Sequence, residues 1–251
     1  VPDLVVGTSV GSLNGAVVAL KPEGAANRLS HAWAKITRQD VFPGGLLAQA
    51  RTLQRTKTHL FPHTGLAAVI AEFVGDRSSF DALELPFAAV AMDAATATPH
   101  AMTSGPLPSA LLASAAIPGI FPPVVRDGRT LYDGGVVANV PLQQALDMGA
   151  KSLVVLDCTF PGHLLPPPQS FAETLLFTAM VTMRSQTTLA APMAAAHVPV
   201  VYLPGPDVCR CSPLNFDATL VLIETAYDVS LAFLGALEVD GPGLYGSPSG
   251  A

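Results

Sequence analysis

At 251 residues the chain is long enough for one large domain or two small ones, and no linker-like stretch divides it. Half of the residues are hydrophobic, 13% are charged and the net charge is −6, which excludes a nucleic-acid surface and simple electrostatic attraction to anionic membranes. Mean hydropathy is +0.44, yet no window reaches the roughly 18 uninterrupted apolar residues of a membrane span. The closest, Leu220 to Val239, is broken by Glu224 and Asp228. A soluble or peripheral chain is expected, with any lipid contact hydrophobic. It begins with valine, no signal-like pattern precedes the fold, and location stays open, with cytoplasmic or peripheral membrane favoured. Cys158, Cys209 and Cys211 make neither a disulfide framework nor a four-ligand zinc pattern.

In chain order, the first element is the apolar run Leu4-Val5-Val6, followed by Gly7-Thr8-Ser9-Val10-Gly11 and a helical stretch from Val10 to Leu20. Strand, sharp turn and helix with a serine at the apex form the context of a nucleophile elbow. Gly7 and Gly11 let strand and helix approach while the Ser9 hydroxyl is held clear of the sheet. Ser9 also stands at a helix N-terminus, which favours a developing oxyanion or a bound phosphate. Helices are expected at Ala25 to Ile36 and Thr64 to Val74. Between them Arg38 to Pro62 has weak periodicity and reads as a surface excursion or lid-like element.

A strand is expected over Phe87 to Met92 and a helix over Ser109 to Ala116. Arg126-Asp127-Gly128-Arg129 carries a D-G turn between Val124-Val125 and Thr130-Leu131-Tyr132, a hairpin whose second arm ends at Asp133-Gly134-Gly135. Gly134 and Gly135 remove side-chain bulk and permit positive φ, leaving the Asp133 carboxylate accessible. Beyond it come a helix at Pro141 to Met148, a strand at Leu153 to Asp157, a helix at Phe171 to Leu189, a strand at Val198 to Leu203 and a helix at Asp217 to Leu237. Pro141 suits a first helical position. Residues 240–251 are rich in Gly, Pro and Ser and read as a flexible tail. The alternation of apolar strands with helices predicts an α/β fold with a mainly parallel central sheet.

Three runs in order, Gly7 to Gly11, Ala113-Ser114 through Ile117-Pro118 to Phe121-Pro122-Pro123, and Asp133-Gly134-Gly135, resemble the patatin-like phospholipase family in its bacterial acyl-hydrolase form. That family carries G-x-S-x-G after a strand, then A-S-x-x-x-P-x-x-F-x-P, then D-G-G. The likeness continues through Asn139-Val140-Pro141 and Gly149-Ala150, includes His31-Ala32-Trp33, and covers roughly Val5 to Cys158 well. It implies a three-layer α/β/α sandwich and a single hydrolase domain over residues 1–239. It also implies a Ser-Asp dyad cleaving acyl esters of lipids, as a phospholipase A or lipid esterase, with Ser9 as nucleophile and Asp133 as its partner. The Val10 N–H, which follows the nucleophile, is the assignable oxyanion donor, and no metal or cofactor is required. A carboxylate acting directly as base needs burial to raise its basicity, so an upward-shifted pKa is expected for Asp133.

The family's oxyanion loop, G-G-G-x-[RK]-G, has no counterpart here. The chain opens about where the elbow strand begins, so an N-terminal oxyanion-loop unit is expected to be missing. Three rival readings stay open. A Ser-Asp-His esterase would use Ser9, Asp133 and either His163 or His197. A nucleotide-binding loop lacks the G-x-x-x-x-G-K-[ST] spacing and lysine. A catalytically weak or inactive domain that binds lipid or a partner is the third. His31, His59, His63 and His100 are given no chemistry. Arg38 to Pro62 and the helix Phe171 to Leu189, with Phe171, Leu175, Leu176, Met180 and Met183, are candidate walls of an acyl cleft, although the same spacing also suits ordinary core.

Overall fold

The computed structural model describes residues 1–75, 79–158, 171–206 and 216–248. These fall into two compact units, one of residues 1–137 with 216 and 217, the other of the remaining described residues. No linker composition marks that boundary in the sequence.

The first unit begins with β1 (Val5–Thr8) and α1 (Val10–Leu20), followed by α2 (Ala25–Trp33), α3 (Arg38–Val41), α4 (Leu46–Thr56) and α5 (Thr64–Val74). A single 3₁₀ turn, Phe80–Ala82, leads to β2 (Phe87–Asp93), β3 (Thr98–Met102), α6 (Leu107–Ser114) and the hairpin β4 (Val124–Arg126) and β5 (Arg129–Asp133). A short turn of helix, α7 (Gly135–Ala138), follows. The hairpin turn is the one expected, with Asp127 at φ 50 and Gly128 at φ 73.

The core of this unit is built where the apolar spacing places it. In α5, Leu66, Val69, Ile70, Phe73 and Val74 recur at helical period and are all buried. They join Leu13, Ala16 and Val17 of α1, Leu107, Ala110 and Leu111 of α6, and the β2 residues Phe87, Ala89 and Ala91. Trp33 closes α2 onto this core, with its ring edge-on to Phe73 at 4.9 Å and its indole N–H donating to Asn14 Oδ1 at 2.8 Å. The excursion from Arg38 to Pro62 is pinned at both ends, because Phe42 and Phe61 are buried against each other and against Phe121. Between them α4 is solvent-facing, with Leu47 77% exposed.

The sheet of this unit is more mixed than the sequence suggests. β1 pairs parallel with β2, whereas β3 and β5 pair with β2 antiparallel and β4 with β5 antiparallel. β3 had no counterpart in the sequence reading. It is an outer strand containing Pro99, four of its five residues are not buried, and its alternation is correspondingly weak.

The second unit contains α8 (Leu142–Asp147), β6 (Leu153–Val155), α9 (Phe171–Ala195), β7 (Pro199–Tyr202), α10 (Thr219–Gly235) and β8 (Gly243–Tyr245). Its strands pair in the order β6-β7-β8, all parallel, as apolar strands joined through helices should. Pro141 sits one position earlier than expected, as the residue capping α8. Residues 243–245 correct the expectation of a fraying tail. Leu244 pairs with Val200, and the Tyr245 hydroxyl is anchored between the Asp240 carboxylate, to which it donates at 2.7 Å, and the Asp240 N–H. Among the described residues no helix is long and apolar enough to cross a membrane.

Candidate active site

The register of β2 brings two distant parts of the chain together. β3 occupies one edge of β2 over Ala89–Asp93, so β1 and β5 must share the other. β1 runs along Phe87–Val90 and β5 along Ala91–Asp93 from the opposite direction, so their C-terminal ends meet head to head. Thr8 lies opposite Val90 and Asp133 opposite Ala91, which are consecutive residues. Ser9 is the next residue after Thr8, and its Oγ donates a hydrogen bond to Asp133 Oδ2 at 2.6 Å. The far end of β5 is braced by Arg129, which pairs with the buried Asp93 carboxylate at 2.5 Å. The Ala95 N–H and Arg129 together hold that carboxyl below its ordinary range.

The elbow has the expected strained form. Ser9 is at φ 53 and ψ −128, a region that costs a non-glycine residue on the order of 1–3 kcal/mol. Its carbonyl is fully engaged, accepting from the Ser12 N–H at 2.9 Å and from the buried Ser12 hydroxyl at 2.7 Å. A Cβ on Gly7 would lie 2.3 Å from the Gly11 carbonyl oxygen, so no larger residue fits there. Gly11 does not share this requirement: a Cβ there meets nothing within 4 Å, contrary to the expectation that both glycines permit the close approach. Val10 and Gly11 open α1, where helical geometry leaves the first N–H groups without partners in the helix.

Asp133 is 2% exposed. Its Oδ2 accepts from Ser9 and its Oδ1 accepts from the Gly135 N–H at 2.7 Å. Burial pushes its carboxyl up from 3.8 to about 6, against the opposing pull of both hydrogen bonds. Gly134 is required by close approach, since a Cβ there would lie 2.4 Å from the Val90 carbonyl oxygen. Neither Gly134 nor Gly135 has positive φ, so the conformational reason anticipated for this pair does not apply.

Ser114 has a contact that the sequence alone did not disclose. It ends α6 fully buried, its hydroxyl accepts from the Ser9 N–H at 3.0 Å and donates to the Val90 carbonyl at 2.6 Å. Its carbonyl accepts from the Gly134 N–H at 3.4 Å, and the Ala116 carbonyl accepts from the Asp133 N–H at 2.9 Å. The only signal was its place in the motif that begins at Ala113.

The described contacts of Ser9 and Asp133 include none of the remaining candidates. His163, Cys209 and Cys211 are outside the described residues, and Cys158 and His197 are exposed residues of the second unit. His63 donates from Nε2 to the Pro122 carbonyl at 2.7 Å and is partly buried, a structural contact near Phe121. In α9, Met180 and Met183 are partly buried, while the side chains of Phe171, Leu175 and Leu176 are outside the described set. Among the described residues no group of three or more His, Cys, Asp or Glu could hold a metal ion.

Comparison with known proteins supplies an independent line. The family model for patatin-like phospholipase matches residues 1–146. Patatin-like phospholipase domain-containing protein 7 of Mus musculus is 30% identical over 161 residues, which cover 62% of this chain and 11% of that protein. Lysophospholipase NTE1 of Mycosarcoma maydis is 30% identical over 160 residues, 62% of this chain and 8% of that protein. An uncharacterized NTE family protein of Mycobacterium bovis is 32% identical over 157 residues, 61% of this chain and 39% of that protein. The chain thus spans about a tenth of the length of the first of these relatives. With the match covering more than half of its length and including the elbow and the Asp-Gly-Gly turn, the chain belongs to the patatin-like phospholipase family.

Proposed function

We propose that this chain is a serine acyl hydrolase that cleaves carboxylic esters of lipids, as a phospholipase A or lipid esterase, through a Ser9–Asp133 dyad and an acyl-enzyme. One observation carries the reading: a buried carboxylate with a pKa of about 6 accepts, at 2.6 Å, the proton of a serine hydroxyl at the apex of a strained strand-to-helix turn. At pH 7 a group of that pKa is about nine-tenths ionised, yet it is a far better base than an aspartate at its ordinary value. The names of the family and of the relative called a lysophospholipase support a lipid ester as substrate.

The chemistry follows from the positions. Ser9 Oγ attacks the acyl carbonyl carbon as its proton passes to Asp133 Oδ2, and the negative charge developing on the carbonyl oxygen is met by the Val10 N–H at the start of α1. Asp133 returns the proton to the leaving alcohol oxygen, leaving the acyl group esterified to Ser9. A water then attacks this ester, gives its proton to Asp133, and the carboxylic acid departs as the proton returns to Ser9 Oγ. The Gly135 N–H holds the other carboxylate oxygen throughout, so the base is oriented by the main chain.

A Ser-Asp-His triad is disfavoured by the same geometry, since it requires an imidazole between serine and carboxylate, whereas Asp133 contacts the Ser9 hydroxyl directly. A binding domain without catalysis has no use for a carboxyl that burial raises to about 6 and that is held against a serine hydroxyl. The test is turnover of a p-nitrophenyl ester series and reaction with a fluorophosphonate probe. Expected are loss of both with Ser9→Ala, loss of turnover with Asp133→Asn, and an acid limb in kcat/KM near pH 6 as Asp133 takes up its proton. Fluorophosphonate labelling that Ser9→Ala leaves unchanged would refute the reading.

A further inference from the structure

The head-to-head meeting of β1 and β5 leaves a gap in the ladder along β2, and the end of α6 fills it. Three main-chain N–H groups from the two dyad segments terminate there: that of Ser9 on Ser114 Oγ, that of Gly134 on the Ser114 carbonyl, and that of Asp133 on the Ala116 carbonyl. We propose that Ser114 is a positioning residue of the dyad, its hydroxyl fixing the Ser9 main chain against β2 while its carbonyl secures the strand end that carries Asp133. The inference rests on the dyad reading of Ser9 and Asp133.

One hydroxyl does two jobs here. It accepts from the Ser9 N–H, 105 residues away in sequence, and donates to the Val90 carbonyl, the residue opposite Thr8 in the β1–β2 register. The elbow and its supporting strand are therefore tied to the same atom. Ser9 has a positive φ that only its surroundings can maintain. Without the Ser114 hydroxyl its N–H would lose its acceptor, and the Thr8–Ser9 peptide would rotate to find another. That rotation moves Ser9 Oγ and the Val10 N–H together, away from Asp133 and from the oxyanion. Because the Ser9 N–H is bound to Ser114, it is also withheld from the oxyanion, which leaves the Val10 N–H in that role. A misplacement of about 1 Å in a nucleophile costs on the order of 100-fold in rate.

The experiment compares Ser114→Ala, Ser114→Cys and a control, Val69→Ala, which opens a cavity in the same core but removes no hydrogen bond of the elbow. All are assayed on a p-nitrophenyl ester at a temperature where each is folded by circular dichroism. Expected for Ser114→Ala is a kcat lower by about 100-fold, with KM within about twofold and the rate of fluorophosphonate labelling falling in step. Ser114→Cys, similar in shape and a weaker hydrogen-bonding group, falls between the two. Val69→Ala lowers the melting temperature but keeps wild-type kcat. In Ser114→Ala the acid limb moves above pH 6, because the Ser9 hydrogen bond that lowers the Asp133 pKa is lost while burial remains, whereas in Val69→Ala it stays near pH 6. Wild-type kcat in Ser114→Ala overturns the proposal, and if that variant does not fold, wild-type kcat in Ser114→Cys does so. Turnover that survives Ser9→Ala removes the dyad reading itself, whatever Ser114 shows.

Discussion

Replacing Asp133 with asparagine should abolish turnover and raise stability, and the rise should depend on pH. The carboxyl has a pKa of about 6 in the folded protein against 3.8 as its unperturbed value. Since the folded pKa is the higher, the folded state holds an extra proton between these values and loses stability as pH rises through the interval. Above it the loss is complete, and 2.2 pKa units correspond to about 3 kcal/mol. Of this, about 2 kcal/mol falls between about pH 4.5 and 7.5. Asparagine does not titrate, and it can keep both contacts, with Oδ1 accepting from the Gly135 N–H and Nδ2 donating to Ser9 Oγ. The difference in melting temperature between Asp133→Asn and the parent should therefore grow with pH, by about 4–8 °C over that range at about 2–4 °C per kcal/mol. Thermal unfolding followed by circular dichroism across the range reads this directly. A constant difference at every pH would mean that ionisation of Asp133 carries no folding penalty, and would remove the reason for calling it an activated base.

Three further outcomes follow from particular contacts. Ser9→Gly should be more stable than Ser9→Ala by about 1 kcal/mol in urea unfolding, the reverse of the usual order, because both lose the hydroxyl and only glycine accepts the positive φ freely. Gly134→Ala should lose more than about 2 kcal/mol or fail to fold, since its methyl would sit against the Val90 carbonyl, while Gly11→Ala should melt within about 2 °C of the parent. His197→Gln and His163→Gln should both retain kcat within about threefold on soluble esters; loss of activity in either by about 1,000-fold would restore the triad reading.

The parts of the fold legible in the sequence are those where local pattern and tertiary burial agree. Leu66, Val69, Ile70, Phe73 and Val74 announce α5 by spacing alone and are buried as the spacing requires. Asp127-Gly128 announces its turn because both residues need positive φ. Ser9 and Asp133 are legible as candidates because the chemistry of an elbow and of a strand-terminal carboxylate limits the spelling around them. What escaped has non-local causes. β3 is defined by pairing with β2 rather than by its own weak alternation, and the Leu244–Tyr245 strand by pairing with β7. The need for Gly134 comes from the Val90 carbonyl and not from its own φ, and no inspection of the Asp-Gly-Gly triplet could reveal that. Ser114, at the end of a helix, reads like any serine that breaks a helical pattern, because its partner lies 105 residues away.

The hydrogen-bonded Ser9–Asp133 pair is assembled at a place where the sheet cannot satisfy itself. Two strand ends abutting on one edge of β2 leave main-chain donors facing inward, and a buried donor without an acceptor costs roughly 1–3 kcal/mol. The buried carboxylate adds about 3 kcal/mol at neutral pH, and the positive φ of Ser9 about 1–3 more. Against a typical net stability of about 5–15 kcal/mol these are large sums. They are tolerable only because residues 114–116 accept the N–H groups of Ser9, Asp133 and Gly134. The hydrogen bonds that keep the site from unfolding are thus the ones that set its geometry. On the proposed reading, relieving the local penalty, whether at Ser9 or at Asp133, must stabilise the protein at the expense of catalysis, whereas weakening the α6 clamp must impair both together. A variant of Ser9 or Asp133 that gained both stability and kcat would contradict this coupling.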